Sequence, residues 1–345
     1  MSTFITPRCL RPGSTVAALT LGWGGPAVFP KVYRRGRSVL TERFGLEVKE
    51  YPTTRMTPGQ LAESPERRAA DLMAAFEDDS VDGIFATIGG DDSTLLLRHL
   101  DVDLIRAHPK VFLGFSDTAA PLLFCHRLGM VTFNGPSIMA GFAELERFPE
   151  AERHVRAMLF DASPTFEYEP FPQWVDSYGD WTDGRLGEVR SHDGWHWLNG
   201  ASKRRGRLVG GCIEVLELLK GSRFWPEGAF WDDRLLFLET SEAVPSVEQV
   251  RCMLFNYGVQ GVFDRIAGLL VGRAWGYSDE QKAELDEMIV QTVVGQFGAA
   301  DVVVVSNLDF GHTQPQWVLP LGVMAEIDPA GRTFRLVESA TLSGA

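Results

Sequence analysis

Cysteine is scarce in this chain and never paired along it. Cys9, Cys125, Cys212 and Cys252 lie far apart with no Cys-x-x-Cys, which argues against both a disulfide framework and a thiolate zinc site. Long apolar runs are missing as well. No stretch approaches membrane-spanning length, and the opening residues MSTFITPRCLRPGS hold no apolar segment suited to export. The expectation is a cytoplasmic protein with no membrane partner. Positive charge is in deficit: 33 Lys and Arg stand against 46 Asp and Glu, a formal net charge of −13. Such a surface repels a phosphate backbone, so no nucleic-acid partner is expected. The one basic cluster, Lys203, Arg204, Arg205 and Arg207, reads as a solvated loop. Internal repeats, low-complexity tracts and a phosphate-binding Gly-x-x-x-x-Gly-Lys-Ser/Thr loop are also absent. What remains is a chain of 345 residues with 45% hydrophobic residues, 35 Gly and 19 Pro, the make-up of a turn-rich globular enzyme of two domains.

Short apolar runs alternate with longer amphipathic ones in the first half. Strands are predicted at 15–22, 46–51, 83–90, 110–116 and 130–135, and helices at 58–80, 118–129 and around 148–160. Strand and helix in alternation predict an N-terminal α/β domain over 1–165 with a parallel sheet, whose ligands sit beyond the carboxyl ends of the strands. That rule puts residues 89–92 and 114–117 on one rim. The stretch 166–206 is rich in Trp, Gly, Asp and Pro without a sustained period, and reads as a connecting or inserted loop. Residues 207–345 read as a second, smaller α/β domain.

The chemistry begins at KVFLGFSDTAA. A strand ends at Gly114, the chain turns, and Ser116 sits at the tip before a helix, where its hydroxyl is presented and the amides beyond it point outward unpaired. With Thr118 as N-cap, Pro121 falls at the third helical position, where no intrahelical bond is lost. Ser-Asp-Thr is equally an ordinary capping sequence, so both readings stand on pattern alone. A nucleophilic serine needs a base and the base an orienting acceptor. His312, in SNLDFGHTQPQW after the apolar run VVVVS, is the best-placed histidine; the others sit beside helices with charged neighbours or, as His192 and His196, in an HxxxH. No carboxylate or cysteine pattern completes a metal site around that pair, and no metal is expected. Glu239 closes the apolar run in RLLFLETSE. A carboxylate there is costly unless paired, with an imidazole as one partner and a salt bridge or solvent as the other. The Gly89-Gly90 turn in IFATIGGDDSTLLL lets a backbone approach a substrate closely and offers free amides. Asp91 and Asp92 after it read as caps of the next helix, with metal ligation as the lesser alternative.

Taken in order, Gly89-Gly90, Gly114-Phe115-Ser116-Asp117, Gly210-Gly211 leading a helix, the LFLE strand ending at Glu239, and Gly311-His312-Thr313 followed by Leu319-Pro320-Leu321-Gly322 resemble the LD-carboxypeptidase family of serine peptidases over nearly the whole chain. That family includes murein tetrapeptide carboxypeptidases and microcin C immunity peptidases. The resemblance implies an active site in the cleft between the two domains, with Ser116 as nucleophile, His312 as general base and then acid, and Glu239 holding the imidazole. The oxyanion would be met by the backbone N–H groups of Asp117 and of the Gly89-Gly90 turn. It also implies a homodimer and no cofactor. Cys212, where the family commonly has Asn, and Ala119, where a second hydroxyl is frequent, are departures that bear on the substrate pocket.

Substrate is read from the Trp-rich stretch. Segments such as GWHWLNG look like the microcin-immunity branch, and Trp181, Trp195 and Trp197 are the candidate substrate-binding residues, an indole face being a sequence-tolerant platform for a base. The same tryptophans equally suit packing at the domain junction. The expected activity is cleavage of the amide of a peptidyl or aminoacyl nucleotide, as in self-immunity and antibiotic resistance. The alternatives are release of terminal D-alanine from a murein tetrapeptide by an LD-carboxypeptidase, or a catalytically silent protein that captures a peptide or nucleotide.

Overall fold

The computed structural model describes residues 4–176, 178–182 and 187–343. Of the expected first unit residues 1–3, of the connecting stretch Ser177 and residues 183–186, and of the second unit residues 344–345 lie outside the described residues.

The first sheet is built from β1 (Thr15–Leu19), β2 (Glu47–Glu50), β3 (Gly83–Ala86), β4 (Val111–Gly114) and β5 (Thr132–Asn134). Its order is β5-β4-β3-β1-β2, with all neighbours parallel. β3 (GIFA) and β4 (VFLG) are buried at every residue, as strands covered by helices on both faces must be. β2, an edge strand, alternates exposed and half-buried positions with the sequence EVKE. A sixth strand comes from far down the chain: Leu319–Leu321 adds antiparallel to β5, so the two halves of the sequence share one sheet.

A second sheet of eight strands has a parallel centre of Arg204–Cys212, Arg234–Glu239, Gly268–Gly272 and Val303–Leu308. Antiparallel strands flank it, with Met324–Asp328, Thr333–Leu336 and Phe166–Glu167 on one side and His196–Asn199 on the other. The expected connecting loop therefore supplies two edge strands to this sheet. Apolar side chains of both sheets merge: Leu113 and Phe133 belong to one buried cluster with Leu235, Val305 and Trp317. Ala119 and Leu122, just after Ser116, belong to another with Val209, Ile213 and Leu236. Each Val, Leu, Ile or Phe among them removed from water contributes roughly 1.5–3 kcal/mol, so the packing that holds the two units together also fixes the cleft between them.

Two local expectations are corrected. The helix predicted over 58–80 is two helices, Pro58–Ala62 and Pro65–Glu77. Pro65 has no N–H to continue the first and its fixed φ suits the start of the second. Asp92 does not cap the 3₁₀ segment Ser93–His99. Its carboxylate is bidentate to the buried guanidinium of Arg68, at 2.5 and 3.0 Å, a charge that needs a partner more than a short 3₁₀ segment needs a cap. Among the described residues no helix is long and apolar enough to cross a membrane.

Candidate active site

β4 delivers the chain to Phe115 in extended conformation, after which Ser116 takes φ +59°. A left-handed conformation costs a non-glycine residue of order 1–3 kcal/mol and persists only when its surroundings over-determine it. Here a single 3₁₀ turn, Ser116–Thr118, leads into the helix Ala119–Arg127. The reversal lifts Oγ over the strand end. Thr118 stands at the helix boundary as expected, but its side chain makes no capping bond.

Ser116 Oγ lies 3.0 Å from His312 Nε2, and His312 Nδ1 lies 2.6 Å from Glu239 Oε2. The three side chains come from the end of β4, the last residue of the strand Arg234–Glu239, and the loop after Val303–Leu308. All three are buried, at 8, 1 and 1% exposure. Gly311 makes the approach possible: at φ +104°, it has no Cβ where one would sit 2.9 Å from Glu239 Cβ. Burial pushes the Glu239 carboxyl up, and the imidazole opposes it. Burial pushes His312 down, but Glu239 and a second carboxylate, Glu242, outweigh it and drive the imidazole up to about 10. Glu242 Oε2 is 2.9 Å from Nε2.

The loop carrying His312 is pinned from behind by Asp309, which is fully buried. Its carboxylate takes hydrogen bonds from Arg273 Nη2 at 2.9 Å, Trp195 Nε1 at 2.8 Å and the Phe171 amide at 3.2 Å. Burial alone would raise its pKa; the Arg273 charge, with His192 and the Trp195 N–H beside it, instead holds it below the usual carboxylate range.

On the other side of Ser116, Gly89 packs so closely that a Cβ on it would meet Ser116 Cβ and Oγ at 2.7 Å. The turn containing Gly89 and Gly90 is tied to the one containing Asp117. The Ser93 amide donates to the Asp117 carboxylate at 3.0 Å, and the Ser93 hydroxyl lies 2.6 Å from the Asp117 carbonyl oxygen. Burial raises the Asp117 carboxyl to about 7 against those hydrogen bonds. Among the described residues the amides of Gly89, Gly90 and Asp117 donate to no protein acceptor.

Ser116 and His312 open into a cavity of about 760 Å³. Trp181 lines it, as do Trp23, Tyr178 and Trp275. Trp195 and Trp197 do not. Trp195 donates its indole N–H to Asp309 and packs edge-on against Trp317, while Trp197 pairs with Val305 inside the second sheet. Their assignment to substrate contact is thus corrected to packing. His192 and His196 diverge, the first facing Asp309 at 3.4 Å and the second bonded to Asp286 at 2.7 Å. Sequence reading passed over Trp23, Trp275 and Glu242. Each lies just past the carboxyl end of a strand (β1, Gly268–Gly272 and Arg234–Glu239), so the rule that located Ser116 also pointed to them.

A family model described as the LD-carboxypeptidase N-terminal domain matches residues 16–135, and one described as the LD-carboxypeptidase C-terminal domain matches residues 205–327. The microcin C7 self-immunity protein MccF of Escherichia coli is 29% identical, over 74% of this chain and 73% of that protein. A probable murein peptide carboxypeptidase of Bacillus subtilis is 25% identical over 98% of this chain and 96% of that protein. Among solved structures, an MccF-like protein from Streptococcus pneumoniae in complex with AMP superposes with a TM-score of 0.84 at 29% identity, covering 94% of this chain and 98% of that one.

Proposed function

The chain belongs to the LD-carboxypeptidase family and is a serine hydrolase, and we propose that it cleaves the amide of a peptidyl or aminoacyl nucleotide through a Ser116-His312-Glu239 triad. The observation that carries the triad is the relay of 3.0 and 2.6 Å from Oγ through the imidazole to a buried carboxylate. Ser116 Oγ attacks the acyl carbon as its proton passes to His312 Nε2. Glu239, accepting from Nδ1, fixes the tautomer and stabilises the imidazolium that forms. The charge developing on the carbonyl oxygen is met by the Asp117 amide and the Gly89-Gly90 turn. His312 then donates its proton to the leaving nitrogen, and water, activated by the same imidazole, releases the acyl group from Ser116.

The nucleotide part of the reading rests on the cavity wall. Trp181 stands edge-on to Phe29 with ring centroids 5.5 Å apart, and Tyr178 leans on Trp275 at 4.9 Å, which gives a stiff aromatic surface beside the nucleophile. Base–aromatic stacking is worth ~1–3 kcal/mol per base. The AMP in the S. pneumoniae relative and the microcin-immunity role of the E. coli relative agree with it. The second reading, release of D-alanine from murein tetrapeptides, is favoured by the B. subtilis relative. Turnover of an aminoacyl sulfamoyl adenylate compared with that of an L,D-tetrapeptide decides between them: exclusive cleavage of the tetrapeptide rejects the nucleotide reading. A chain that turns over neither and fails to react with a fluorophosphonate is a binding protein.

A further inference from the structure

Glu242 occupies a position that the triad alone does not explain. Its Oε2 sits 2.9 Å from His312 Nε2, the same nitrogen that lies 3.0 Å from Ser116 Oγ. An ionised carboxylate only accepts hydrogen bonds, so at that distance it favours the protonated imidazole, while the hydrogen bond that Nε2 makes is with Ser116 Oγ. A general base needs a free lone pair there. A carboxylate beside that nitrogen favours the protonated form of His312, the form that cannot take the serine proton.

Unlike Glu239, whose side chain is sealed at 0% exposure, the Glu242 side chain is 58% exposed and faces the substrate cavity. It is the third residue past Glu239 and is carried on the short segment after the strand, where a side-chain rotation does not disturb the sheet. Glu214 faces the same space. One of its oxygens is taken by the Ser241 amide and hydroxyl at 2.9 and 2.7 Å, while the other, among the described residues, has only the Cys212 thiol at 3.4 Å. Among the described residues lining the cavity, His312 aside, every charged side chain is acidic: Asp91, Glu214 and Glu242. An acyl group bearing a carboxylate meets repulsion there, and a cation meets attraction.

We propose that Glu242 is a specificity-determining residue that accepts a cationic group on the acyl part of the substrate, an ammonium or guanidinium, and that its negative charge, once paired with that cation, no longer holds the Nε2 proton, which passes to solvent and leaves His312 neutral to serve as base. Ser116 Oγ and Glu242 Oε2 both lie about one hydrogen-bond length from one nitrogen, so Oε2 is within roughly two such lengths, ~6 Å, of the attacking oxygen, and a cation bound to it is within roughly three, ~9 Å. The group recognised is therefore the α-ammonium of an aminoacyl residue or a cation on its side chain. This deepens the nucleotide-conjugate reading above and rests on it: the substrate class becomes aminoacyl conjugates that carry positive charge on the acyl side. Binding and activation are coupled, since a substrate without the cation leaves the base engaged.

The test uses the full chain and four sulfamoyl adenylates: lysyl and norleucyl, each with a free or an acetylated α-amine. The expected result is a preference of at least tenfold in kcat/KM for a cation-bearing compound over the doubly neutral acetyl-norleucyl one. Glu242→Gln collapses that preference towards unity while raising turnover of the neutral compound. If only the free-amine pair is preferred, the α-ammonium is the ligand; if only the lysyl pair, the side chain is. A wild type that prefers the neutral compound overturns the proposal, as does Glu242→Gln with its preference intact. Failure of the underlying reading looks different: none of the four compounds is turned over and Ser116 is not labelled by a fluorophosphonate, which removes both.

Discussion

Gly89→Ala tests the geometry of the site without touching a side chain that does chemistry. The added Cβ would stand 2.7 Å from both Cβ and Oγ of Ser116. Carbon pairs reach their optimum near 3.5 Å, so the two residues must separate by roughly 0.8 Å. Ser116 has little room to retreat, held at φ +59° between buried Phe115 and Asp117. A misplacement of ~1 Å in a reacting group costs on the order of 10²-fold. The expected loss in kcat/KM on an aminoacyl sulfamoyl adenylate is therefore about 10²-fold, ~2.7 kcal/mol in transition-state stabilisation. The overpacking itself costs about 1–3 kcal/mol of stability, read from a denaturant midpoint. Gly295→Ala is the control, since a Cβ there meets nothing within 4 Å and the backbone is helical. Full turnover by Gly89→Ala, measured on protein shown to be folded, would refute the placement of Gly89 against the nucleophile.

Three further sets of substitutions examine separate parts of the account. Ser116→Ala and His312→Ala should each abolish nearly all turnover, and the double variant should lose little more, because residues acting as a unit are not additive; kcat/KM losses that multiply would separate the two roles. Trp181→Ala should weaken binding of the nucleotide conjugate by ~1–3 kcal/mol in a calorimetric titration with AMP, whereas Trp197→Ala, away from the cavity, should leave AMP affinity unchanged. Asp309→Ala should destabilise the fold by about 3–5 kcal/mol, since it leaves the fully buried Arg273 charge without its carboxylate; a shift in unfolding free energy below ~1 kcal/mol would remove Asp309 as the anchor of the His312 loop.

The strand ends were readable in the sequence because apolar runs followed by glycine, hydroxyl and carboxylate residues have few places to go in a parallel sheet. GFSD after VFL, LE after RLLF and the loop after VVVVS all sit at carboxyl ends, and the fold gathers them. Local competition was harder to read. Pro65 splits one amphipathic pattern into two helices, and Asp92 turns to Arg68 because a buried guanidinium 24 residues away attracts it more strongly than a helix end does. The tryptophans show the limit most clearly. GWHWLNG has no period that fixes strand register, and register alone sends Trp197 into the sheet opposite Val305. Trp195 is drawn to Asp309 by a hydrogen bond spanning 114 positions. The edge strand Leu319–Leu321 crosses from the second half of the chain into the first sheet, a pairing that no local pattern encodes.

The most direct measurement is the site and pH dependence of fluorophosphonate labelling. With Glu239 and Glu242 holding the His312 proton well above the ordinary imidazole range, the base is unavailable at low pH and is freed as pH rises through that raised pKa. The adduct is expected on the peptide containing Ser116, with a labelling rate that climbs from neutral towards alkaline pH and is lost in His312→Ala. An adduct elsewhere in the chain, or labelling of Ser116 that proceeds equally well without the imidazole, would contradict the account.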